Sequence, residues 1–370
     1  MTKYRADIAI PPGETLEEQL EVNNMSQKEL ANRIDVSKKH LNQIVNGKAP
    51  ITAETAIKLE RVFSLPASFW TNLESNYRET LARLKENYSE EEKNILKKLP
   101  YKDLVNKGWL NDSNNIEDKI NNLRKFFKVS NLKRIYKINT YNAAYRTSKA
   151  YKEKVSLLSL TAWLEQGKKI ANEIETKDYS EQKIKDYIKD FRKMTYEKPE
   201  NFYINLVEKL AECGIALVIV PHIKKTYAQG AVKWLSPNKV MMQLTLRHKF
   251  ADVFWFSFFH ELGHILLHGK RNEYIDYENE GNDKSDKEKE ADEFAAKTLI
   301  PESEYQSFIS HNYFKKHTIQ QFAKEIDIAP YIVRGRLVHD GYLQHYMLNS
   351  LKEKYSYEQF KYKNNLIANH

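Results

Sequence analysis

Residues 254–271 read FWFSFFHELGHILLHGKR. From Phe250 to Leu267 nearly every position is apolar, so a helix here is buried on all sides and takes His260, Glu261 and His264 inside with it. Three polar groups left there without partners would cost several kcal/mol, whereas one metal ion satisfies them together. His260 and His264 sit four residues apart on one helical face, so both imidazoles can reach a single ion. Glu261 stands beside them, placed to act as a general base. HExxH strings also arise by chance, and a lone histidine on an apolar face is usually a hydrogen-bonded core residue. Burial of all three groups in one helix is what favours the metal, expected to be Zn2+.

A third ligand is expected downstream, on a helix over DKEKEADEFAAKTLIPE, residues 286–302. Glu288 and Glu290 lie about 200° apart around a helix, so one ion cannot be reached equally by both. Glu288 shares a face with Ala291, Asp292, Ala295 and Leu299, whose small alanines allow close approach to the histidine helix. Glu290 shares the other, polar face with Glu293 and Lys297, an i, i+4 pair. Glu288 is therefore the candidate ligand, and Asp292, one turn on, can accept a hydrogen bond from the outer nitrogen of a ligating histidine. Position 270 is lysine, which removes the third histidine of a metzincin. His268 fits the packing of the helix end beside Gly269 better than ligation.

The 370 residues exceed the ~250–300 at which a single core stops growing, so two or three domains are expected. A composition of 41% hydrophobic and 29% charged residues is that of a globular protein, not a disordered one. Cys213 is the only cysteine, which excludes an intrachain disulfide framework and fits a reducing compartment. The amino terminus does not read as a secretory signal, and the apolar run Val253–Phe259 is too short to span a membrane. A cytoplasmic location with no membrane partner is the expectation. Net charge is +9, spread as nine basic against ten acidic residues over 1–77, 28 against 19 over 78–200, and 22 against 21 over 201–370. A basic middle third can collect nucleic acid or an acidic partner, although lysine-rich helical stretches usually read as solvated faces.

The patterning predicts a mostly α chain with a small α+β domain. Its parts are a five-helix domain over 1–78, a basic helical connector over 79–200, a small strand-plus-helix metal domain over 201–310, and a helical tail over 311–370. ALVIVP at 216–221 and KVMMQLTL at 239–246 read as strands, and DYENEGNDKSDKE, residues 276–288, as an acidic loop. KVMMQLTLRHK is a candidate edge strand on which a peptide could lie extended.

In MSQKELANRIDVSKKHLNQIVNGKAPIT, residues 25–52, Ser26 and Glu29 form a candidate capping box. Leu30, Ala31 and Ile34 supply a buried face, and Ser37 caps a second helix after a three-residue turn. That helix buries Leu41, Ile44 and Val45 and points Lys38, Lys39, Asn42 and Gln43 outward, which fits a helix-turn-helix whose second helix enters the major groove. Lysine can donate to guanine, and Asn or Gln can bridge adenine. Gln27, Asn46 and Lys48 are candidate phosphate contacts. The alternative is a small packing domain whose polar residues are merely solvated.

From Pro12 to about Arg83, including SQKELA, NGKAPIT and FWTNLESNY, the chain resembles the Cro/CI (XRE) helix-turn-helix family, HigA-type antitoxins in particular. The resemblance implies a homodimer on a double-stranded DNA operator, with Lys38, Lys39 and Gln43 reading bases and Gln27 and Asn46 on phosphates, and it raises a toxin partner. FHELGHILLH with EKEADEFAAKTLIP, and upstream MQLTLRHKFADVFWF, resembles the ImmA/IrrE zinc metallo-endopeptidases, of gluzincin type. LPYKDLVNKGWL, AYRTSKAYKEK and LTAWLEQGKKIA resemble the connector of proteins that fuse the two. Such a fusion implies a DNA-binding regulator that cleaves a cytoplasmic protein, often a helix-turn-helix repressor, in stress or mobile-element switching. Two rivals stand beside it. In one, a HigA-like antitoxin or repressor keeps the zinc fold as a non-catalytic sensor or structural domain; in the other, the first domain is a protein-binding module. Candidates for stabilising an oxyanion are His248, His268, Tyr227 and Tyr305.

Overall fold

The computed structural model describes residues 8–86, 88–137, 156–269 and 286–360, with 274–277 as backbone. The connector stretch AYRTSKAYKEK and most of the acidic loop lie outside the described residues. The chain divides into two compact units, Met1–Tyr88 and Ser89–His370. No helix among the described residues is long and apolar enough to cross a membrane.

The first unit is five helices: α1 (Pro12–Val22), α2 (Gln27–Arg33), α3 (Lys38–Val45), α4 (Ala53–Phe63) and α5 (Ala67–Leu84). Each polar start does its local work. The Ser26 hydroxyl accepts from the Glu29 amide at 3.2 Å and the Ser37 hydroxyl from the His40 amide at 3.1 Å, so both short helices begin where a side chain satisfies an orphan N–H. The capping box at Ser26 is only half made, because the Glu29 side chain turns to Arg33 at 2.6 Å. Asp35 takes a left-handed φ of 50°, which tightens the turn between α2 and α3. Leu16, Leu30, Leu41, Ile44, Leu59 and Trp70 meet in one core. A Cβ on Gly13 would fall 1.8 Å from the Val45 carbonyl oxygen, so glycine is what lets α1 lie against the end of α3.

The second unit begins with α6 (Glu90–Lys98), α7 (Tyr101–Asn106) and α8 (Ile116–Phe126). Buried Glu92 accepts from Arg124 Nε at 2.9 Å and Nη2 at 2.7 Å and from the Leu132 amide at 2.9 Å, which ties this layer together. Helices α9 (Leu157–Glu173), α10 (Glu181–Lys193) and α11 (Pro199–Glu212) lead to a sheet. Its strands are β1 (Ile215–Ile219), β2 (Ala228–Ser236), β3 (Lys239–Leu244) and β4 (Tyr274–Tyr277), in the order β1-β3-β2-β4. β1 runs parallel to β3, and β2 is antiparallel to both β3 and β4. Thus β3 is bonded on both sides, and the expectation that KVMMQLTLRHK forms an open edge is corrected: the edges are β1 and β4. β2 went unread because its residues mix Gln, Gly and Lys with the apolar ones, although all but one of its nine positions are partly or fully buried.

Side chains alternate across the sheet. Gln243 reaches the Trp163 carbonyl of α9 at 2.9 Å, while Val240, Met242 and Leu244 join the core on the opposite face. That core contains α12 (Ala251–Leu267), whose Trp255, Phe258, Phe259 and Leu262 are fully or almost fully buried, each worth roughly 1.5–3 kcal/mol relative to exposure. After β4 come α13 (Asp286–Leu299), α14 (Glu302–Ser310), α15 (Lys316–Glu325) and α16 (Pro330–His339). Ile184 and Phe191 from α10 and Ile319, Val333 and Phe360 from beyond residue 310 pack into the same core as α12. Stretches that patterning assigns to connector and tail therefore help to hold the metal helix.

Candidate metal centre and nucleic-acid interface

α12 presents His260 and His264 one turn apart toward α13, which packs along it. A Cβ on Gly263 would lie 3.3 Å from Ala291 Cα and 3.1 Å from the Phe294 ring, so the glycine of HELGH and an alanine of α13 set how near the two helices come. Across this close seam, Glu288 Oε2 lies 3.1 Å from His260 Nε2 and Oε1 3.4 Å from His264 Nε2, and the two Nε2 atoms are 3.0 Å apart. One donor atom from each of His260, His264 and Glu288 lies within 4.8 Å of the others. His260 Nδ1 is 2.9 Å from Asp292 Oδ1, so Nδ1–H donates outward and the Nε2 lone pair turns to the shared point.

The electrostatics favour the ligating forms. Burial alone would raise the Glu288 carboxyl, but the adjoining His260 and His264 imidazoles outweigh it and hold that group far below the usual carboxylate range. Burial pushes the His264 imidazole down, toward its neutral state. Two imidazoles and one carboxylate, converging in an apolar surround, are a donor set suited to zinc.

Glu261 is fully buried on the same helix, but it faces β2. A Cβ on Gly230 would come within 2.1 Å of Glu261 Oε1, so Gly230 is the gap that admits the carboxylate. One turn earlier, Ser257 Oγ meets Gln229 Oε1 at 3.2 Å, holding the same strand against the same helix. Reading the sequence missed Gly230; a glycine inside AQGAVKW was the available signal of close approach.

The other candidates fall elsewhere. Glu290, 60% exposed, lies 3.5 Å from His268 Nδ1, while Glu293 pairs with Lys297. His268 Nε2 is 2.9 Å from the Lys287 carbonyl oxygen, so it links the end of α12 to the start of α13. The Tyr305 hydroxyl donates to Asp340 at 2.7 Å, the Arg247 guanidinium sits 4.4 Å from the Tyr227 ring centre, and His248 lines a small pocket with Gln229 and Thr245.

In the first unit Lys38, Lys39, Asn42 and Gln43 form the exposed side of α3, and Asn46 and Lys48 are exposed just beyond it. Gln27 is half-buried and donates to Glu17 at 3.4 Å. Asn46 Nδ2 donates to the Asn42 carbonyl at 2.7 Å, which closes the helix end. Behind that loop, buried Glu74 accepts from the Ile51 amide at 3.1 Å and from Arg78 at 2.6 Å. Glu74 thereby fixes the segment that carries Asn46 and Lys48, a role the sequence pattern did not disclose.

Comparison with known proteins divides the chain along the same line. Residues 16–70 match the helix-turn-helix family and residues 248–326 match the IrrE N-terminal-like domain, a metallopeptidase family. The chain is 41% identical over 70 residues to virulence-associated protein I of Dichelobacter nodosus, covering 19% of this chain and 65% of that protein. It thus spans just under two thirds of that relative. It is 33% identical over 64 residues to the uncharacterized HTH-type transcriptional regulator YddM of Escherichia coli K12, covering 17% of this chain and 68% of that one. Among solved structures, the Pseudomonas aeruginosa antitoxin HigA with the higBA promoter is 33% identical, with a TM-score of 0.20, over 22% of this chain and 98% of that one. This chain belongs to the HTH-type transcriptional regulators through its amino-terminal, XRE-type domain, and joins to that domain a second of the IrrE-like metallopeptidase family.

Proposed function

We propose that the amino-terminal unit binds a double-stranded operator as a homodimer, and that the carboxy-terminal unit is a zinc endopeptidase. Its substrate is a cytoplasmic protein, a helix-turn-helix repressor or antitoxin, whose cleavage switches transcription in a stress or toxin–antitoxin response. The observation that carries this reading is the convergence of His260, His264 and Glu288 within 4.8 Å, with a fully buried Glu261 on the same helix. A purely structural metal has no use for that carboxylate.

Bound by these three residues, Zn2+ supplies Lewis-acid chemistry to a scissile carbonyl and to water. The chain does the rest. Asp292 fixes the His260 tautomer, Glu261 accepts and returns a proton, and the aromatic surround of α12 keeps competing water away. Because β3 is enclosed, an extended peptide that adds to this sheet does so at an edge. β4 is the edge that pairs with β2, with Asp276 opposite Gly230 in the register.

The test is incubation of the zinc-loaded protein with the products of neighbouring genes, with toxin and antitoxin candidates among them. Glu261→Gln is expected to keep zinc and to slow cleavage by about 10²–10⁴-fold, because it removes a proton acceptor and no ligand. Cleavage that persists in Glu261→Gln, or that chelation of zinc leaves intact, would reject the mechanism. If the wild type under activating stress leaves every candidate whole, a non-catalytic zinc fold becomes the better reading.

A further inference from the structure

A cavity of about 650 Å³ opens between the Gly108–Asn111 segment, α8 and the carboxy-terminal half of α9. It is separate from the metal centre: α9 covers one face of the sheet, and α12 lies on the other. Its volume is in the range of small-molecule sites, roughly 300–1,000 Å³. The walls combine two aromatic rings, Trp109 and Phe126, with four lysines, Lys125, Lys128, Lys168 and Lys169, against two carboxylates, Glu165 and Glu173, which leaves the lining net basic. Lys168 is 3.6 Å from Glu165, whereas Lys125, Lys128 and Lys169 have no carboxylate partner among the described residues. Glu165 answers Lys168 and Glu173 offsets one more charge, so the ammonium groups around this concavity remain in excess; a metal cation or a neutral apolar ligand would leave that excess unanswered, and an anion relieves it. The rings add flat apolar surface, and Asn122, held by its bonds to the Tyr101 hydroxyl at 3.1 Å and the Asn111 carbonyl at 3.3 Å, contributes a fixed carboxamide at the rim.

We propose that this cavity is a nucleotide site, in which Lys125, Lys128 and Lys169 receive phosphate and Trp109 and Phe126 receive the planar base. Base stacking on aromatic side chains with lysine at the phosphate is a recurrent pairing in nucleic-acid recognition, and a concavity of this volume suits a single small ligand. The site also gives a use to the basic excess of residues 78–200, 28 Lys and Arg against 19 Asp and Glu, which a solvated surface does not require. The proposal is independent of peptidase activity, since no residue of the metal centre takes part.

Calorimetric titration of the full-length, zinc-loaded protein with AMP, ATP, GMP and GTP tests it, with inorganic phosphate, adenosine and guanosine as controls. At least one nucleotide is expected to bind saturably, and at least about tenfold tighter than phosphate or its own nucleoside. Lys125→Glu combined with Lys169→Glu replaces two exposed side chains, so the fold should survive; affinity should fall at least about tenfold. Phe126→Ala should also weaken binding, while Lys39→Ala, in the other unit, should not. The proposal is overturned by the absence of saturable binding up to about 5 mM of every nucleotide, by binding that the charge reversal leaves unchanged, or by phosphate binding as tightly as the nucleotides.

Discussion

The two helices on which function is placed, α3 and α12, solve opposite problems. α3 buries Leu41, Ile44 and Val45 and leaves Lys38, Lys39, Asn42 and Gln43 in water. α12 is buried nearly all round and takes His260, Glu261 and His264 inside. A solvated lysine costs the fold nothing, so the identity of each outward residue on α3 answers only to what it meets there. A buried carboxylate is expensive, so each polar group on α12 needs a counterpart that folding must also supply. Glu288 and Asp292 on α13 are those counterparts for the histidines, and the absence of a side chain at Gly230 is the counterpart for Glu261.

The largest effect should come from removing a counterpart. Glu288→Gln is expected to lower zinc content at limiting metal. It should also abolish the stabilisation that zinc gives the wild type, about 2.7 kcal/mol when free metal is 100 times its dissociation constant. Glu290→Gln, on the exposed face beside His268, should match the wild type in metal content and in melting temperature with and without chelator. Zinc loss from the Glu290 variant alone would exchange the two roles and break the contrast between the faces of α13.

This contrast also explains what could be read in advance. The partition of α13 into a Glu288–Asp292 face and a Glu290–Glu293–Lys297 face follows from 3.6 residues per turn, and the structure has Ala291, Ala295 and Leu299 buried on the first of these. Two helices of the first unit, α2 and α3, were legible because Ser26 and Ser37 cap them and apolar residues repeat at helical spacing. Less was legible where the cause is a partner distant in sequence. β2 was hidden because Gly230 serves Glu261, 31 positions on, rather than strand propensity. β3 reads as a strand from its own residues, but its central place depends on β1 and β2, so a local pattern could not show that both its edges are filled. Glu74 likewise looks like any helix-surface glutamate until Ile51 is seen to donate to it.

Gly230→Ala probes the next step down. Its new methyl must displace the Glu261 carboxylate or the strand, and overpacking of this kind costs typically about 1–3 kcal/mol. Zinc content should stay at the wild-type level, because none of His260, His264 or Glu288 is touched, while Glu261-dependent cleavage falls. Thermal melting with metal analysis separates the two. A variant as stable and as active as the wild type would mean that Glu261 has room to spare, and that its burial is not tied to β2.

On α3 no counterpart inside the protein is lost, so substitutions should leave folding alone and act on DNA. Lys39→Ala and Gln43→Ala are expected to weaken operator binding by about 1–3 kcal/mol each and to relax base preference, with melting temperature unchanged. Unaltered affinity in both variants would take α3 out of the major groove.

The smallest effect belongs to Lys48, which lies past the end of α3 in a loop held by Glu74 through the Ile51 amide. Its ammonium group is exposed and points from a fixed segment, a position suited to a phosphate and not to a base edge. A phosphate contact releases about one counterion, so Lys48→Ala should reduce the slope of log affinity against log salt by roughly 0.9 while the ranking of operator sequences stays as it was. Binding isotherms on two operator variants at several salt concentrations read both quantities. A change in ranking would make Lys48 a base reader, and the boundary between reading and anchoring would then have to move beyond the end of α3.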